Sequence, residues 1–103
     1  MKLEVLHVPD CPNTAMLADR LGTLITSRGD LVVEHRVIRD QTEATERGMT
    51  GSPTLLLDGV DPFAVTGAAP SMSCRLYRDE AGAVSGVPSV AQLRTALAHK
   101  GDR

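Results

Sequence analysis

Residues 2–38 run from an apolar segment through an amphipathic one to a second apolar segment, and this order constrains the fold more than any other feature. KLEVLHV predicts a strand that ends at Pro9, and LVVEHRVI, rich in β-branched residues, predicts a second strand. Between them, PNTAMLADRLGTLITSR predicts a helix that ends near Gly29. Its apolar residues follow helical spacing: Leu17, Leu21, Leu24 and Ile25. A strand, a helix and a strand in this order predict a sheet that starts with two parallel strands.

The rest of the chain continues this alternation. DQTEATERG predicts a helix because Asp40 and Glu43 stand at capping-box spacing. TLLLDG predicts a buried strand, CRLYRDEAGAVSG a strand followed by a turn, and SVAQLRTALAHK a helix capped by Ser89. Residues 60–73 are polar, contain Gly and Pro, and are too long for a hairpin turn, so we expect an irregular loop. We therefore predict one α/β domain over residues 1–103, in the order βαβαββα, with a mixed sheet of four or five strands and helices on both faces.

Composition excludes several classes of function. A net charge of −2 gives no electrostatic reason to expect nucleic acid or an anionic membrane as a partner. Phe63 and Tyr77 are the only aromatic residues, so the chain has no stacking platform for bases. No segment is apolar for long enough to act as a signal peptide or to span a bilayer. We expect a cytoplasmic protein with no nucleic-acid partner and no membrane partner.

Cys11 stands where the first strand ends and the first helix begins. Pro12 suits the first helical position, where its missing N–H costs nothing. Unpaired N–H groups and the positive end of the helix dipole favour the thiolate there, so we expect the pKa of Cys11 to lie below about 8.5. Thr14, one turn further on, could donate its hydroxyl proton to the sulfur. The alternative is that Cys11 is a small apolar residue at a junction, with no chemical role.

A second motif, GSPT, places Ser52 and Pro53 directly ahead of a predicted strand. Proline cannot donate to a sheet ladder, so Pro53 must stand at the start of that strand. X–Pro bonds are also the bonds that become cis at modest cost. A cis bond here would leave the backbone of Ser52 free to pair with an extended substrate beside Cys11. The alternative is a trans proline that only begins a strand.

Taken together, the two motifs resemble those of the thioredoxin superfamily. CPNT resembles the C-P-x-C motif with its last cysteine replaced, and MTGSPT resembles the stretch that carries the cis-proline. The resemblance implies a thioredoxin-like fold in which Cys11 is the nucleophile and Pro53 is the cis-proline. Two positions depart from the pattern. Thr14 replaces the resolving cysteine and Val5 stands where thioredoxins bury an acid, so efficient dithiol reduction of the thioredoxin kind is not expected.

A narrower likeness is to small thioredoxin-like proteins, some with selenocysteine in place of the cysteine. These share GSPTLLLDG followed by a segment such as DPF. Some of them are loosely labelled as related to alkylmercury lyases, a label that implies cleavage of a carbon–mercury bond by two thiolates and a carboxylate. This chain offers Cys11 and Cys74 as thiols, and Asp10 and Asp61 among its acids.

Cys74 begins the predicted strand CRLY, next to the irregular loop. If that loop folds back over the start of the first helix, Cys74 could act as a distant resolving thiol. The alternative is that Cys74 is a buried strand residue without a redox role.

Three functions of different classes follow from these residues. The first is a thiol-dependent oxidoreductase with Cys11 as the nucleophile. Thr14 would steady its thiolate, and Ser52 would align a thiol or disulfide substrate beside Pro53. Glutathione, another small thiol or Cys74 would release the mixed disulfide. The second is a soft-metal or organomercurial protein that uses Cys11 and Cys74. The third is a non-catalytic binding module. We expect no cofactor and no resident metal ion, because no histidine stands at metal-ligand spacing from the cysteines.

Overall fold

The computed structural model of the protein describes residues 1–26 and 28–101, with the side chains of residues 99–101 excepted. The helices in these residues are α1 (Pro12–Ile25), α2 (Gln41–Arg47) and α3 (Val90–Gly101). The strands are β1 (Lys2–His7), β2 (Val32–Val37), β3 (Thr50–Ser52), β4 (Thr54–Leu57), β5 (Ser71–Cys74), β6 (Tyr77–Arg78) and β7 (Val84–Ser85).

The central sheet is mixed and has three strands in the order β2-β1-β4. Strand β1 pairs in parallel with β2 and antiparallel with β4. The α/β class and the parallel first pair are therefore confirmed. The other strands form two short pairs, β3 with β5 in parallel and β6 with β7 antiparallel. Within the described part of the chain, the prediction of one sheet with four or five strands is wrong.

In the described residues, the segment after β5 approaches β4 without pairing with it. Two of its side chains, rather than its main chain, approach the start of β4. The Tyr77 hydroxyl donates to the carbonyl oxygen of Pro53 at 2.5 Å, and Arg75 Nη1 donates to Thr54 Oγ1 at 3.3 Å. The predicted strand CRLYRDEAGAVSG accordingly contributes only the short β6–β7 pair.

Helices cover both faces of the central sheet, as the sequence predicts. Because side chains alternate along a strand, Leu3 and Val5 face one side of β1 and Leu6 faces the other. The first side packs against α1 and α3, through Leu17, Leu21, Leu93 and Leu97. The second side packs against α2 and its flanking residues, through Ile38, Ala44 and Met49.

Two helix starts have the predicted caps. Asp40 Oδ1 accepts from the N–H of Glu43 at 2.8 Å, and Ser89 Oγ accepts from the N–H of Gln92 at 3.0 Å. The predicted end of the first helix is wrong, because α1 ends at Ile25 rather than near Gly29. The N–H of Arg28 already closes a turn onto the Ile25 carbonyl at 2.9 Å, so the chain leaves the helix before the glycine.

None of the helices in residues 1–26 and 28–101 is both long and apolar enough to cross a membrane.

Candidate functional site

A tight turn between β1 and α1 determines where Cys11 lies. The N–H of Cys11 donates to the Val8 carbonyl at 3.4 Å, with Pro9 and Asp10 between them. Proline presets the second position of such a turn, and Asp10 occupies the third with φ 60°, a conformation that Asp tolerates better than most residues. Cys11 then has an extended backbone and is the N-cap residue of α1, with Pro12 directly after it.

The pKa of Cys11 is lowered from its ordinary value. Partial burial opposes this shift by removing water from the thiolate, but the stabilising effect of the nearby Ser52 and Thr14 hydroxyls outweighs it. The backbone N–H groups of Asn13 and Thr14 act in the same direction. The thiol makes no side-chain cap hydrogen bond, so these N–H groups act more weakly on the sulfur than a formed cap bond would. The predicted direction of the shift agrees with this environment.

Ser52 supports the thiolate from the strand side. Its side chain is 1% exposed, and its Oγ accepts from the N–H of Val8 at 3.1 Å. The hydroxyl proton of Ser52 remains available for the Cys11 sulfur and helps to lower its pKa. Because Val8 belongs to the turn that places Cys11, one hydroxyl both fixes that turn and stabilises the negative charge.

Thr14 supports the thiolate from the helix side. Its Oγ1 is buried and has no hydrogen-bond partner among the described residues. A buried hydroxyl without a competing acceptor can direct its proton to a nearby anion, and the Thr14 side chain does lower the pKa of Cys11. The Thr14 hydroxyl would therefore donate a hydrogen bond to the Cys11 thiolate rather than to the neutral thiol.

The Ser52–Pro53 peptide bond is cis, which is the geometry that the resemblance implies. The expectation that the backbone of Ser52 is free to pair with a substrate is wrong for its carbonyl group. That carbonyl accepts a hydrogen bond of 3.1 Å from the N–H of Arg75, because β5 runs alongside β3. A substrate strand therefore cannot use this acceptor while β5 occupies the position.

Cys74 is exposed, so the alternative that it is a buried strand residue is wrong. It ends β5 instead of beginning a strand, and its register partner on β3 is Ser52. Neighbouring strands lie about 4.8 Å apart, so Cys74 flanks the same serine that contacts Cys11. Both cysteines are free thiols. The structure therefore gathers Cys11, Thr14, Ser52, Pro53 and Cys74 into one region.

Sequence reasoning missed a buried cation beside this region. Arg75 is 7% exposed and pairs with Asp61 at 2.6 Å between Nη1 and Oδ2. Its Nη2 donates to the Phe63 carbonyl at 2.7 Å, and its guanidinium lies 4.6 Å from the centre of the Tyr77 ring. A signal existed in the sequence, because Arg75 directly follows Cys74 in a segment with apolar and aromatic neighbours. Arginine is commonly exposed, however, and nothing in the sequence identified Asp61 as its partner.

The two acids considered for metal chemistry have different surroundings. Asp61 is committed to Arg75 through Oδ2 and to the N–H of Phe63 through Oδ1. Asp10 is exposed and adjoins Cys11 in the turn. Among residues 1–26 and 28–98, no three side chains of the His, Cys, Asp and Glu types form a group that could hold a metal ion.

An apolar groove of about 820 Å³ lies away from the thiols. It is bounded by α3, by the loop after β4 and by the β6–β7 hairpin, and its walls include Leu57, Phe63, Asp79, Gln92 and Ala96. None of the residues that the sequence predicted for the site lines this groove. The candidate site is therefore the thiol region at the other end of β4, where burial is partial and the polar groups converge.

Comparison of the chain with protein-family models, curated proteins and solved structures finds no match.

Proposed function

We propose that the protein is a thiol-dependent oxidoreductase in which Cys11 is the nucleophile. The observation that carries the proposal is a partly exposed free cysteine at a helix N-terminus, where the Ser52 and Thr14 side chains lower its pKa. Nucleophilic cysteines require this combination, because the thiolate is the reactive form and the substrate must reach it.

A thioredoxin-like fold is part of the proposal. The strand order β2-β1-β4 supports it, as do the parallel and antiparallel pairings on the two sides of β1. The placement of α1 and α3 on one face and α2 on the other supports it further. The positions of Cys11 at the start of α1 and of Pro53 ahead of β4 support it as well.

The first chemical step needs only Cys11 and a disulfide substrate. The Cys11 thiolate attacks one sulfur of the substrate, a bond forms between these two sulfurs, and the substrate disulfide breaks. The other half of the substrate leaves as a thiolate and takes a proton from water. Ser52 and Thr14 stabilise the thiolate before the attack, and their hydroxyls lose this interaction as the negative charge leaves Cys11.

The second step releases the bound half of the substrate. Thr14 cannot do this, so the attacking thiolate is either Cys74 or a small thiol such as glutathione. Attack by Cys74 on the Cys11 sulfur gives a Cys11–Cys74 disulfide and a second free thiolate, and two glutathione molecules then reduce that disulfide while becoming oxidised glutathione. The register of Cys74 with Ser52 supports the intramolecular route.

The test is reduction of hydroxyethyl disulfide with glutathione as the reductant. We expect Cys11→Ser to fall to the uncatalysed rate. Cys74→Ser should retain the first step and become strictly dependent on glutathione for the second. Ser73→Ala, next to Cys74 and also exposed, is the matched control and should behave like the parent. If the parent protein reduces the disulfide no faster than the uncatalysed reaction, the enzyme proposal is contradicted. The remaining function is then the non-catalytic binding module.

A second candidate function is capture of a soft, thiophilic metal ion or an organomercurial by Cys11 and Cys74. The observation that favours it is the position of two free thiols on either side of Ser52, since a two-coordinate soft ion needs two sulfur ligands. Its test is the stoichiometry of Hg²⁺ binding by mass spectrometry. One ion per parent chain that protects both thiols from alkylation supports it, and independent protection in the single-cysteine variants contradicts it.

A further inference from the structure

Arg75 connects three parts of the molecule that adjoin the candidate site. Its main-chain N–H donates to the Ser52 carbonyl, and its Nη1 donates to Thr54 Oγ1, so it contacts the residues on both sides of Pro53. Its guanidinium also holds the loop after β4 through Asp61 and the carbonyl of Phe63. Because Arg75 directly follows Cys74, whatever fixes Arg75 also fixes the backbone of Cys74.

Tyr77 and Phe63 complete the surroundings of this guanidinium. The two rings meet edge to face with their centres 5.7 Å apart, and the guanidinium lies over the ring of Tyr77. The hydroxyl of Tyr77 donates to the Pro53 carbonyl. Arg75 and Tyr77 therefore bind three consecutive residues of the chain, from Ser52 to Thr54.

Gly51 shows how closely β5 approaches β3 at this point. A Cβ atom on Gly51 would lie 2.7 Å from Cβ of Arg75 and 3.0 Å from its Cα. The backbone of Gly51 also has φ 130°, a conformation that side chains rarely permit. Glycine is therefore needed to let the Arg75 backbone reach the Ser52 carbonyl.

A buried ion pair is a poor device for stability alone, because removing two charges from water offsets much of their attraction. The Arg75–Asp61 pair is 7% and 12% exposed at its two side chains. A guanidinium group is planar and rigid, so its N–H donors bind several acceptors in fixed directions. Its acceptors here lie on β4 and on the loop after β4, so the pair defines a relative position between these segments and β5.

We propose that Arg75, held by Asp61, is a positioning residue that places Cys74 beside Ser52 for attack on the Cys11 mixed disulfide. This inference rests on the proposed function and assigns the second step of that function to an intramolecular thiol. Arg75 does not touch the substrate. Its effect falls on the geometry of Cys74, and the surroundings of Cys11 stay as they are.

The experiment uses one equivalent of 5,5′-dithiobis(2-nitrobenzoate) per chain and follows release of thionitrobenzoate by stopped-flow absorbance. The first equivalent of product reports attack by Cys11, and the second reports displacement by Cys74. Mass spectrometry distinguishes the mixed disulfide from the Cys11–Cys74 disulfide. The parent, Arg75→Lys, Arg75→Met and Asp61→Asn are compared, with Cys74→Ser as the standard for the mixed disulfide.

We expect the variants at Arg75 and Asp61 to keep the first rate within about twofold of the parent. The second rate should fall by about tenfold or more, because misplacement of a reacting group by an ångström has effects of that size. Arg78→Met is the matched control, since Arg78 is exposed and its Nη1 donates to the nearby Gly82 carbonyl. Its two rates should equal those of the parent.

The outcomes separate the inference from the proposed function. A parent in which Cys11 is no faster than a free thiol contradicts the proposed function. A parent that completes the first step but never the second overturns the inference alone. Loss of both rates in proportion, in Arg75→Lys as well as in Arg75→Met, would show a purely structural role and also overturn it.

Discussion

Tyr77 donates its hydroxyl proton to the carbonyl oxygen of Pro53 at 2.5 Å, across 24 residues of sequence. The side chain of Tyr77 is buried, and burial raises its pKa far above the usual value of about 10. The positive charge of Arg75 opposes this rise, and the negative charge of Asp61 adds to it. The residue that fixes Pro53 is therefore also the residue that resists ionisation most strongly.

The first prediction concerns the pH at which Tyr77 ionises. The pKa is higher in the folded chain than in the unfolded one, so folding stability from this group is complete below about pH 10 and is lost as pH rises above that value. Tyr77 is the only tyrosine, so tyrosinate absorbance reports it alone. We expect that absorbance to appear together with unfolding measured by circular dichroism. Appearance of tyrosinate in the folded protein near pH 10 would contradict the buried hydrogen bond.

Cys11 provides the second prediction, a pH dependence of opposite sign. Its pKa is lower in the folded chain than in the unfolded one, so its contribution to stability is present at high pH and is lost as pH falls through the folded pKa. The free energy of unfolding of the parent should therefore rise relative to that of Cys11→Ser as pH increases through this range. Iodoacetamide alkylation of Cys11 should reach half its maximal rate at a lower pH than alkylation of the chain unfolded in urea.

Thr14 provides the third prediction. Thr14→Val keeps the shape of the side chain but removes the hydroxyl that lowers the pKa of Cys11, so the pH midpoint of alkylation should rise. The cost in stability should be small, because the hydroxyl oxygen is buried without a partner in the described residues. Thr23→Val is the control in the same helix, since its exposed hydroxyl donates to the Asp19 carbonyl. If the pH midpoint of Cys11 alkylation is unchanged in Thr14→Val, Thr14 does not stabilise the thiolate.

Two glycines provide the fourth prediction, with opposite signs. Gly51→Ala should cost about 1–3 kcal/mol, because the new Cβ meets the Arg75 backbone and the backbone angle is unfavourable. Gly22→Ala in α1 should gain about 0.5–1 kcal/mol, since nothing lies within 4 Å of its Cβ and alanine favours the helix. Urea unfolding of both variants measures the difference. Equal effects would show that β5 does not approach β3 as closely as described.

Local patterns in the sequence were sufficient for part of this structure. Apolar spacing identified α1, an amphipathic pattern identified α3 and a capping box identified α2. The caps at Asp40 and Ser89 follow from neighbouring side chains. The helices and caps depend on residues within a few positions of one another. The pairing of Cys11 with Ser52 follows instead from the resemblance of their two motifs to those of the thioredoxin superfamily.

Sequence reasoning missed one distant contact and one local turn. Residues 74–78 approach the start of β4 through side chains, and Arg75 also pairs with Asp61, 14 residues away in sequence. The glycine at position 29 does not end α1, because the turn closed by Arg28 ends the helix earlier. Neither contact leaves a periodic signal in the sequence.

The central position of β1 has a consequence for how the two sulfurs move. This strand is paired along both edges and covered on both faces, so its amide protons should exchange with solvent only when the whole domain unfolds. Cys11 lies four residues beyond the end of that strand. Cys74 ends β5, a strand of half-buried and exposed residues that pairs only with β3 in the described chain, and such a pair opens at a lower free-energy cost. Cys11 therefore adjoins the most protected strand, whereas the backbone of Cys74 depends on the contacts that hold β5, those of Arg75 among them.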